Sequence, residues 1–280
     1  MCTPFDEPSV DHIVKHKFDF LKIASCSSND WPLLERISST KLPIIISVAG
    51  LKESQIDNLI TFLKNRKKDF IIQHCVGEYP TPLSRMHLNQ IDFLQKRYPD
   101  TRFGFSTHEN PNNKSLIKIA LSKGAVSLEK HVGVPTDKWP LNLYSANPQQ
   151  TDDWLSAGNE TLITLGKSIK RYTPSAIEKN SLLSLQRGAF VKKKRSKNSK
   201  IQLHDLKFAF PPEKNQILAS DLSKYSSLIL KKNKLPNEPL FKKDLKIVNL
   251  RDQTLKYANR IKTIILKSGV SFPTNITLEI

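Results

Sequence analysis

Two histidines, His108 and His131, follow short apolar runs at positions that suit a shared divalent cation. His108 comes just after the aromatic run 102–106, and His131 comes just after the apolar run 125–128. Imidazole nitrogens that leave two neighbouring strands can converge on one ion, while water and substrate complete its coordination shell. The alternative interpretation is that each histidine is an ordinary hydrogen-bonded residue at a strand end, and the two histidines alone do not decide between these interpretations.

The residues between the two histidines predict how the chain positions them. Residues 114–122 have the apolar spacing of a helix, which Lys123 and Gly124 close with a basic last turn and a C-terminal glycine. A strand, a helix and a strand joined by connections this short are parallel neighbours. His108 and His131 are therefore predicted to emerge on one face.

The first 132 residues repeat a strand and helix pattern of about thirty residues, the usual size of a β-α-β unit. Earlier strands are predicted at 18–25, 42–47 and 69–74, and the fold class is α/β. Polar residues recur where the predicted strands end: Lys22, Ser25, Ser47, His74, Ser106, His108 and His131. In a (β/α)8 barrel, this rim carries the chemistry.

The formal net charge of +18 is unevenly distributed along the 280 residues. Residues 1–170 contain 21 Lys and Arg against 18 Asp and Glu, whereas residues 171–280 contain 23 against 8. The basic runs 192–195 and 231–232 lack the interleaved aromatic residues of a base-stacking surface. A solvated basic face, or one that attracts anionic substrates, is favoured over a nucleic-acid partner.

Other sequence features narrow the cellular context. No apolar run approaches the roughly 20 residues of a membrane span, and residues 1–7 do not have the pattern of a signal peptide. Three cysteines, Cys2, Cys26 and Cys75, have no metal-binding or disulfide spacing. We therefore expect a cytoplasmic protein with no membrane partner.

Six motifs in order along the chain resemble the sialic acid synthase family, which includes the N-acetylneuraminate, legionaminate and pseudaminate synthases. They lie at residues 3–7, 21–25, 32–34, 74–82, 104–108 and 124–131. The resemblance is strong over residues 1–150 and weak over 187–247. It implies a (β/α)8 barrel that condenses phosphoenolpyruvate with an open-chain N-acetylated amino sugar, giving a nine-carbon 2-keto sugar acid and phosphate.

The resemblance also implies roles for individual residues. His108 and His131 would bind Mn²⁺ or Mg²⁺, and Lys22 would act with them in catalysis. Phosphoenolpyruvate would be held by Lys22 together with Thr3, Ser47 and Ser106. Further substrate-binding positions are Ser25, Tyr79 and Asn142, although the Tyr79-Pro80 pair is equally consistent with a structural turn.

Several positions depart from the family pattern. Thr107 stands where an aspartate usually precedes the first metal histidine, Ser27 replaces an acidic residue, and Gly77 replaces Asn or Ser. Phe210 occupies the position of an arginine that in relatives reaches the substrate of a partner subunit. These changes weaken the residue assignments around the sugar but not those of Lys22 and the two histidines. The predicted acceptor is an N-acetylated amino sugar like N-acetylmannosamine, and the sequence leaves open which one.

The expected domain organisation is a partial barrel at 1–172, a polar linker at 173–187, an antifreeze-like (SAF, β-clip) domain at 188–247, and the start of a further segment at 248–280. That segment is predicted to contain a helix at 254–267 and a strand at 271–280. The resemblance implies two β-α units and part of a strand before Thr3, so we expect an N-terminally truncated chain whose full-length form is a domain-swapped homodimer. The alternative function is a non-catalytic relative whose basic C-terminal module binds an anionic glycan, lipid head group or nucleic acid.

Overall fold

The computed structural model describes residues 1–223, 225–249 and 251–268. The chain forms two compact units, Met1–Ile169 and Lys170–Ile280. The boundary between them lies three residues before the predicted end of the barrel at residue 172. Within the described residues, no helix has the length and apolar character that crossing a membrane requires.

The first unit is built on five parallel strands paired in chain order. They are β1 (Leu21–Ile23), β2 (Ile44–Ser47), β3 (Phe70–Cys75), β4 (Arg102–Thr107) and β5 (Leu128–Lys130). The predicted parallel sheet is therefore confirmed. Strand β1 is shorter than its prediction at 18–25. Strand β5 lies later than its prediction at 125–128: Val126 and Ser127 bond to β4 through their backbone, and the regular strand follows them.

Six helices cover this sheet: α1 (Glu7–Lys15), α2 (Trp31–Ser38), α3 (Glu53–Asn65), α4 (Asn89–Arg97), α5 (Ser115–Ser122) and α6 (Pro148–Leu165). Their apolar faces pack on strand residues such as Ile46 and Ile72, which are fully buried. Helix α6 begins at Pro148. Asn147 and Gln150 form a reciprocal capping box at its start, and this satisfies two backbone N–H groups that the helix itself leaves unpaired.

The sheet is strongly curled. Its edge strands β1 and β5 would lie about 19 Å apart if five strands were laid flat at the usual spacing of about 4.8 Å. In the structure, the Nζ atom of Lys22 in β1 lies 2.8 Å from the Oε2 atom of Glu129 in β5. The five strands therefore curve as part of a barrel wall does, and Cys2 adds a single parallel bridge beside Leu21. This confirms the α/β half-barrel part of the predicted fold.

The described residues of the second unit contain two α-helices and five short strands. These are α7 (Ala176–Ser184), β6 (Gly188–Val191), β7 (Lys200–Ile201), β8 (Leu206–Ala209), β9 (Ser226–Leu230), β10 (Leu245–Asn249) and α8 (Arg251–Lys267). The strands form two antiparallel sheets in the orders β10-β9-β7 and β6-β8, around a small apolar core. The antifreeze-like assignment of this unit stays a prediction.

Three predictions in the C-terminal region compare with the structure as follows. Segment 173–187, predicted as a polar linker, contains helix α7. Ser175 caps the N-terminus of this helix by accepting from the backbone N–H of Glu178. The predicted helix at 254–267 begins three residues earlier, at Arg251. The predicted strand at 271–280 lies outside the described residues.

An internal repeat organises the second unit, and the sequence analysis did not detect it. Arg195 and Lys234 occupy equivalent positions and exchange backbone N–H···O bonds of 2.9 and 2.8 Å. The equivalent residues Asn198 and Asn237 both adopt the left-handed conformation, with φ of 66° and 67°. In each copy a buried aspartate pairs with the basic residue, and in the second the distance from Lys234 Nζ to Asp244 Oδ2 is 2.6 Å. Some of the basic residues are therefore structural.

Candidate active site

A cavity of about 380 Å³ opens at the carboxyl ends of the five parallel strands. It is lined by Thr3, Phe5, Lys22, Ala24, Ser25, Cys26, Ser47, Cys75, Tyr79, Ser106, His108, Glu129 and His131. Eight of the nine residues predicted from sequence thus meet in one place, as the geometry of parallel strands requires. The ninth, Asn142, is not among the lining residues.

A buried ammonium group lies at one side of the cavity. The Lys22 side chain is only 5% exposed, and its Nζ donates to Ser47 Oγ at 2.5 Å and lies 2.8 Å from Glu129 Oε2. Ser47 in turn donates to Gln73 Oε1 at 3.3 Å. A buried cation needs a counter-charge, and Glu129, whose side chain is 31% exposed, supplies it while also facing the cavity. The arrangement holds one positive charge where an anion can reach it.

The two histidines face each other with ring centroids 5.2 Å apart. The Nδ1 atom of His108 lies 2.9 Å from the carbonyl oxygen of Val76, so this nitrogen carries the proton and donates. Its Nε2 is then unprotonated and free to accept a hydrogen bond or bind a metal. Burial lowers the pKa of His108, which favours the neutral ring that metal binding requires.

Two tyrosines complete an aromatic cluster with these histidines, which we define as Tyr79, His108, His131 and Tyr144. The ring of Tyr79 lies 4.2 Å from that of His108, and the ring of Tyr144 lies 5.1 Å from that of His131. Burial raises the pKa of Tyr79, so its phenol stays protonated at neutral pH and can donate a hydrogen bond.

Asn142 does not line the cavity, and its substrate-binding role stays a prediction. Its Oδ1 accepts from the backbone N–H groups of Tyr144 and Ser145, at 3.1 and 2.8 Å. The Asn142 side chain therefore shapes the turn that brings Tyr144 to the histidines. Tyr144, rather than Asn142, is the residue of this loop whose ring lies beside the two histidines.

The histidine pair fits a divalent cation, judged by its donor set. Two imidazoles bound to one ion at about 2.1 Å have ring centroids roughly 5 Å apart, close to the separation found here. His108 also has the backbone-carbonyl partner that commonly orients a ligating ring. In the described part of the chain no group of three or more His, Cys, Asp and Glu is arranged for a metal. The remaining positions around an ion held here would be filled by water or substrate.

Sequence reasoning missed Glu129 and Tyr144. For Glu129 a signal was available, because it precedes His131 by two residues and so lies on the same side of an extended strand. For Tyr144 no such signal exists, since the long loop after His131 has no periodicity that fixes its path.

A larger cleft of about 890 Å³ adjoins the small cavity. The two share Ser25, Cys26, Cys75 and Tyr79 along their walls. Beyond these residues the cleft is lined by the loop after β2 and by α4, including Gly50, Gln90 and Leu94. A molecule longer than a three-carbon acid can therefore extend from the histidines into this cleft.

Comparison with known proteins shows the family to which this chain belongs. Residues 1–170 match the model of the NeuB family, and the chain belongs to that family. The structure resembles that assigned to spore coat polysaccharide biosynthesis protein E of Chromobacterium violaceum, with a TM-score of 0.82 and 42% identity, covering 88% of this chain and 73% of that one.

Curated relatives include synthases of acidic sugars. The N,N'-diacetyllegionaminic acid synthase of Legionella pneumophila is 26% identical over 233 residues, which is 80% of this chain and 65% of that protein. The N-acetylneuraminate-9-phosphate synthase of Drosophila melanogaster is 30% identical over 131 residues, 46% of this chain and 35% of that protein. The chain thus spans between about one third and two thirds of the length of these two relatives. The resemblance found in the sequence is confirmed at the level of the family.

Proposed function

We propose that this chain carries the catalytic unit of a sialic-acid-type synthase in carbohydrate biosynthesis. The reaction condenses phosphoenolpyruvate with an N-acetylated amino sugar, and it yields a nine-carbon 2-keto sugar acid and phosphate. The observation that carries this proposal is that a buried lysine and a facing pair of histidines open onto one cavity. Membership of the NeuB family supports it.

The anion would bind on the Lys22 side of the cavity. Phosphoenolpyruvate carries a carboxylate and a phosphate, and both are recognised by ammonium groups and hydroxyls. Lys22 provides the charge, and the hydroxyls of Thr3, Ser47 and Ser106 line the same cavity. Because Glu129 already partners Lys22, the bound anion shares the ammonium group with that carboxylate instead of meeting an unpaired charge.

His108 and His131 would hold Mn²⁺ or Mg²⁺, with the acceptor aldehyde bound beside them. The ion supplies Lewis-acid polarisation of the aldehyde carbonyl when it is bound. In this arrangement Lys22 holds the enol phosphate so that its third carbon faces the aldehyde carbon, and a carbon–carbon bond forms between them. Water adds at the second carbon of the enol, and the bond between that carbon and the bridging oxygen breaks. Phosphate leaves with the bridging oxygen, a keto group remains on the carbon, and the two protons of the water go to the aldehyde oxygen and the departing phosphate.

The acceptor sugar would extend from the histidines past Tyr79 into the larger cleft. Tyr79 lies between the two spaces, and its protonated phenol can donate to an acceptor oxygen. The family positions occupied here by Ser27 and Gly77 are small and uncharged. These features support an N-acetylated amino sugar that differs from N-acetylmannosamine in the substituents facing the cleft.

The experiment is a phosphate-release assay with the protein as expressed from its natural gene. It is supplied with Mn²⁺, phosphoenolpyruvate and a panel of N-acetylated amino sugars, and the product is identified by mass spectrometry. We expect phosphate release that requires both the metal and one of the sugars. Absence of sugar-dependent release across the whole panel would contradict the proposal.

A further inference from the structure

The two chain segments that carry the histidines face the cavity with one side and the covering helices with the other. Side chains two residues apart in an extended chain share a face. Ser106 and His108 face the cavity from β4, and Glu129 and His131 face it from β5. The residues that alternate with these point the other way. The side chains of Thr107, Glu109 and Lys130 are buried behind the cavity, towards the covering helices.

Behind the histidines these residues form a closed ionic network. The side chains of Glu109 and Lys130 are 1% and 2% exposed, and Lys130 Nζ lies 2.8 Å from Glu109 Oε1. Thr107 Oγ1 donates to the other carboxylate oxygen of Glu109. The ring of Trp154 in α6 covers the ammonium group, with its centroid 5.7 Å from Lys130 Nζ. Every charged group of the network therefore has its partner inside the fold.

Such a pair is not explained by stability alone. Taking two charges out of water is costly, and apolar residues of similar volume often give an equally or more stable protein. What an ion pair provides, and an apolar contact does not, is a fixed direction and distance between the two segments. Glu109 directly follows His108, and Lys130 directly precedes His131. The pair thus links the two histidine-bearing segments at the points where they leave the sheet.

We propose that Glu109 and Lys130 are positioning residues that set the separation and orientation of the His108 and His131 rings for a shared cation. This inference rests on the proposed function, since the cation belongs to it. The network acts through the backbone: the ion pair fixes the peptide units beside each histidine, and the rings follow. Thr107 is the strand neighbour of Lys130 in the register of β4 and β5, so a carboxylate at position 107 would also reach the lysine.

The test compares Mn²⁺ affinity, measured by isothermal titration calorimetry, in four variants of the protein. Glu109→Gln removes one charge and should weaken binding by about tenfold or more, as loss of an orienting partner commonly does. Glu109→Gln with Lys130→Met removes both charges, which preserves the fold, and should bind Mn²⁺ as weakly as the single variant. Thr107→Asp with Glu109→Gln returns a carboxylate to Lys130 and should recover most of the affinity.

The fourth variant, Leu59→Ala, controls for stability. Leu59 is fully buried in α3 and does not line the cavity, so its loss should lower the melting temperature without changing Mn²⁺ affinity. A crystal structure of Glu109→Gln with Lys130→Met adds a readout that needs no cation, because the ring centroids should depart from their 5.2 Å separation. An unchanged Mn²⁺ affinity, or an unchanged separation of the two rings, in this double variant would overturn the positioning role.

Failure of the unaltered protein to bind Mn²⁺ is a different outcome and would overturn the proposed function.

Discussion

The Nζ atom of Lys22 and the Oε2 atom of Glu129 lie 2.8 Å apart, although β1 and β5 are opposite edges of the five-stranded sheet. Only a strongly curled sheet allows this contact. The same curvature brings Ser47, Ser106 and the histidine pair around one cavity. The curvature that makes the Lys22–Glu129 ion pair possible is therefore the same curvature that assembles the cavity.

The first prediction concerns Lys22. Lys22→Met keeps most of the side-chain volume but removes the charge that would meet phosphoenolpyruvate. Loss of a charged hydrogen bond costs about 1.5–3 kcal/mol, which corresponds to roughly a 10- to 150-fold increase in KM for phosphoenolpyruvate. Steady-state phosphate release measures this change, with the exposed Lys96→Met as control. A KM equal to that of the unaltered protein would remove Lys22 from the anion site.

The second prediction concerns His131. His131→Ala leaves His108 as a single imidazole, which should abolish retention of Mn²⁺ during desalting and with it phosphate release. His131 is exposed, so the melting temperature should change little. Metal analysis by mass spectrometry checks the first result, and His12→Ala, an exposed histidine on α1, provides the control. Unchanged metal content in His131→Ala would disprove the shared site.

A third prediction follows from His74, which is buried and donates from Nε2 to the carbonyl of Met86 at 2.8 Å. Burial lowers its pKa in the folded protein, whereas in the unfolded chain it titrates near 6.5. Between those two values the unfolded state binds more protons, so this contribution to stability is complete above about pH 6.5 and is lost as pH falls through the window below it.

This pH dependence can be measured on metal-free protein by urea unfolding between pH 8 and pH 5. In His74→Gln the side-chain amide can still donate to Met86 but does not titrate, so the decrease in unfolding free energy on acidification should be smaller. His108 also has a lowered pKa and leaves part of the decrease in place. The exposed His16→Gln should leave the slope unchanged. An identical slope in His74→Gln would show that this histidine does not contribute.

The fourth prediction concerns the second unit. Asp244 is buried and pairs with Lys234 at 2.6 Å and Lys232 at 2.9 Å. Asp244→Ala leaves the buried Lys234 without its carboxylate, and loss of one partner of a buried pair costs about 3–5 kcal/mol. Denaturant unfolding measures the loss as a change in the free energy of unfolding of the second unit. The control, Glu213→Ala at an exposed position, should change this free energy by less than about 0.5 kcal/mol. A loss below 1 kcal/mol for Asp244→Ala would mean that the pair is solvated.

Local pattern predicted the sheet and six of the lining residues, Lys22, Ser25, Ser47, Ser106, His108 and His131, whereas Thr3 and Tyr79 came from the resemblance to the family. Strand ends are marked by apolar runs that break into polar residues, and parallel strands necessarily present these ends together. Lys22 and His108 were found in this way. Glu129 had a local signal, since it lies two residues before His131, but its pairing with Lys22 depends on a contact across the curled sheet that no local pattern encodes.

Other features depended on backbone paths that sequence patterns do not specify. Asn142 was assigned to the substrate from the resemblance to the family alone, and in the structure its amide oxygen accepts hydrogen bonds within its own turn while Tyr144 approaches the histidines. The repeat in the second unit did have a sequence signal, because Asn198 and the run Asp205-Leu206-Lys207 recur 39 residues later as Asn237 and Asp244-Leu245-Lys246. Thr107 departs from the family pattern, in which an aspartate usually stands at this position. The structure shows that Lys130, the strand neighbour of Thr107, pairs with the carboxylate of Glu109 instead, and the sequence alone did not indicate this pair.

The most direct test of the account is a crystal structure of the protein with Mn²⁺ and phosphoenolpyruvate, recorded at a wavelength where manganese scatters anomalously. The account predicts one anomalous peak within bonding distance of a ring nitrogen of both His108 and His131, and an anionic oxygen of phosphoenolpyruvate within hydrogen-bond distance of Lys22 Nζ. An anomalous peak away from the two histidines, or phosphoenolpyruvate bound outside the cavity that Lys22 and Glu129 share, would contradict it.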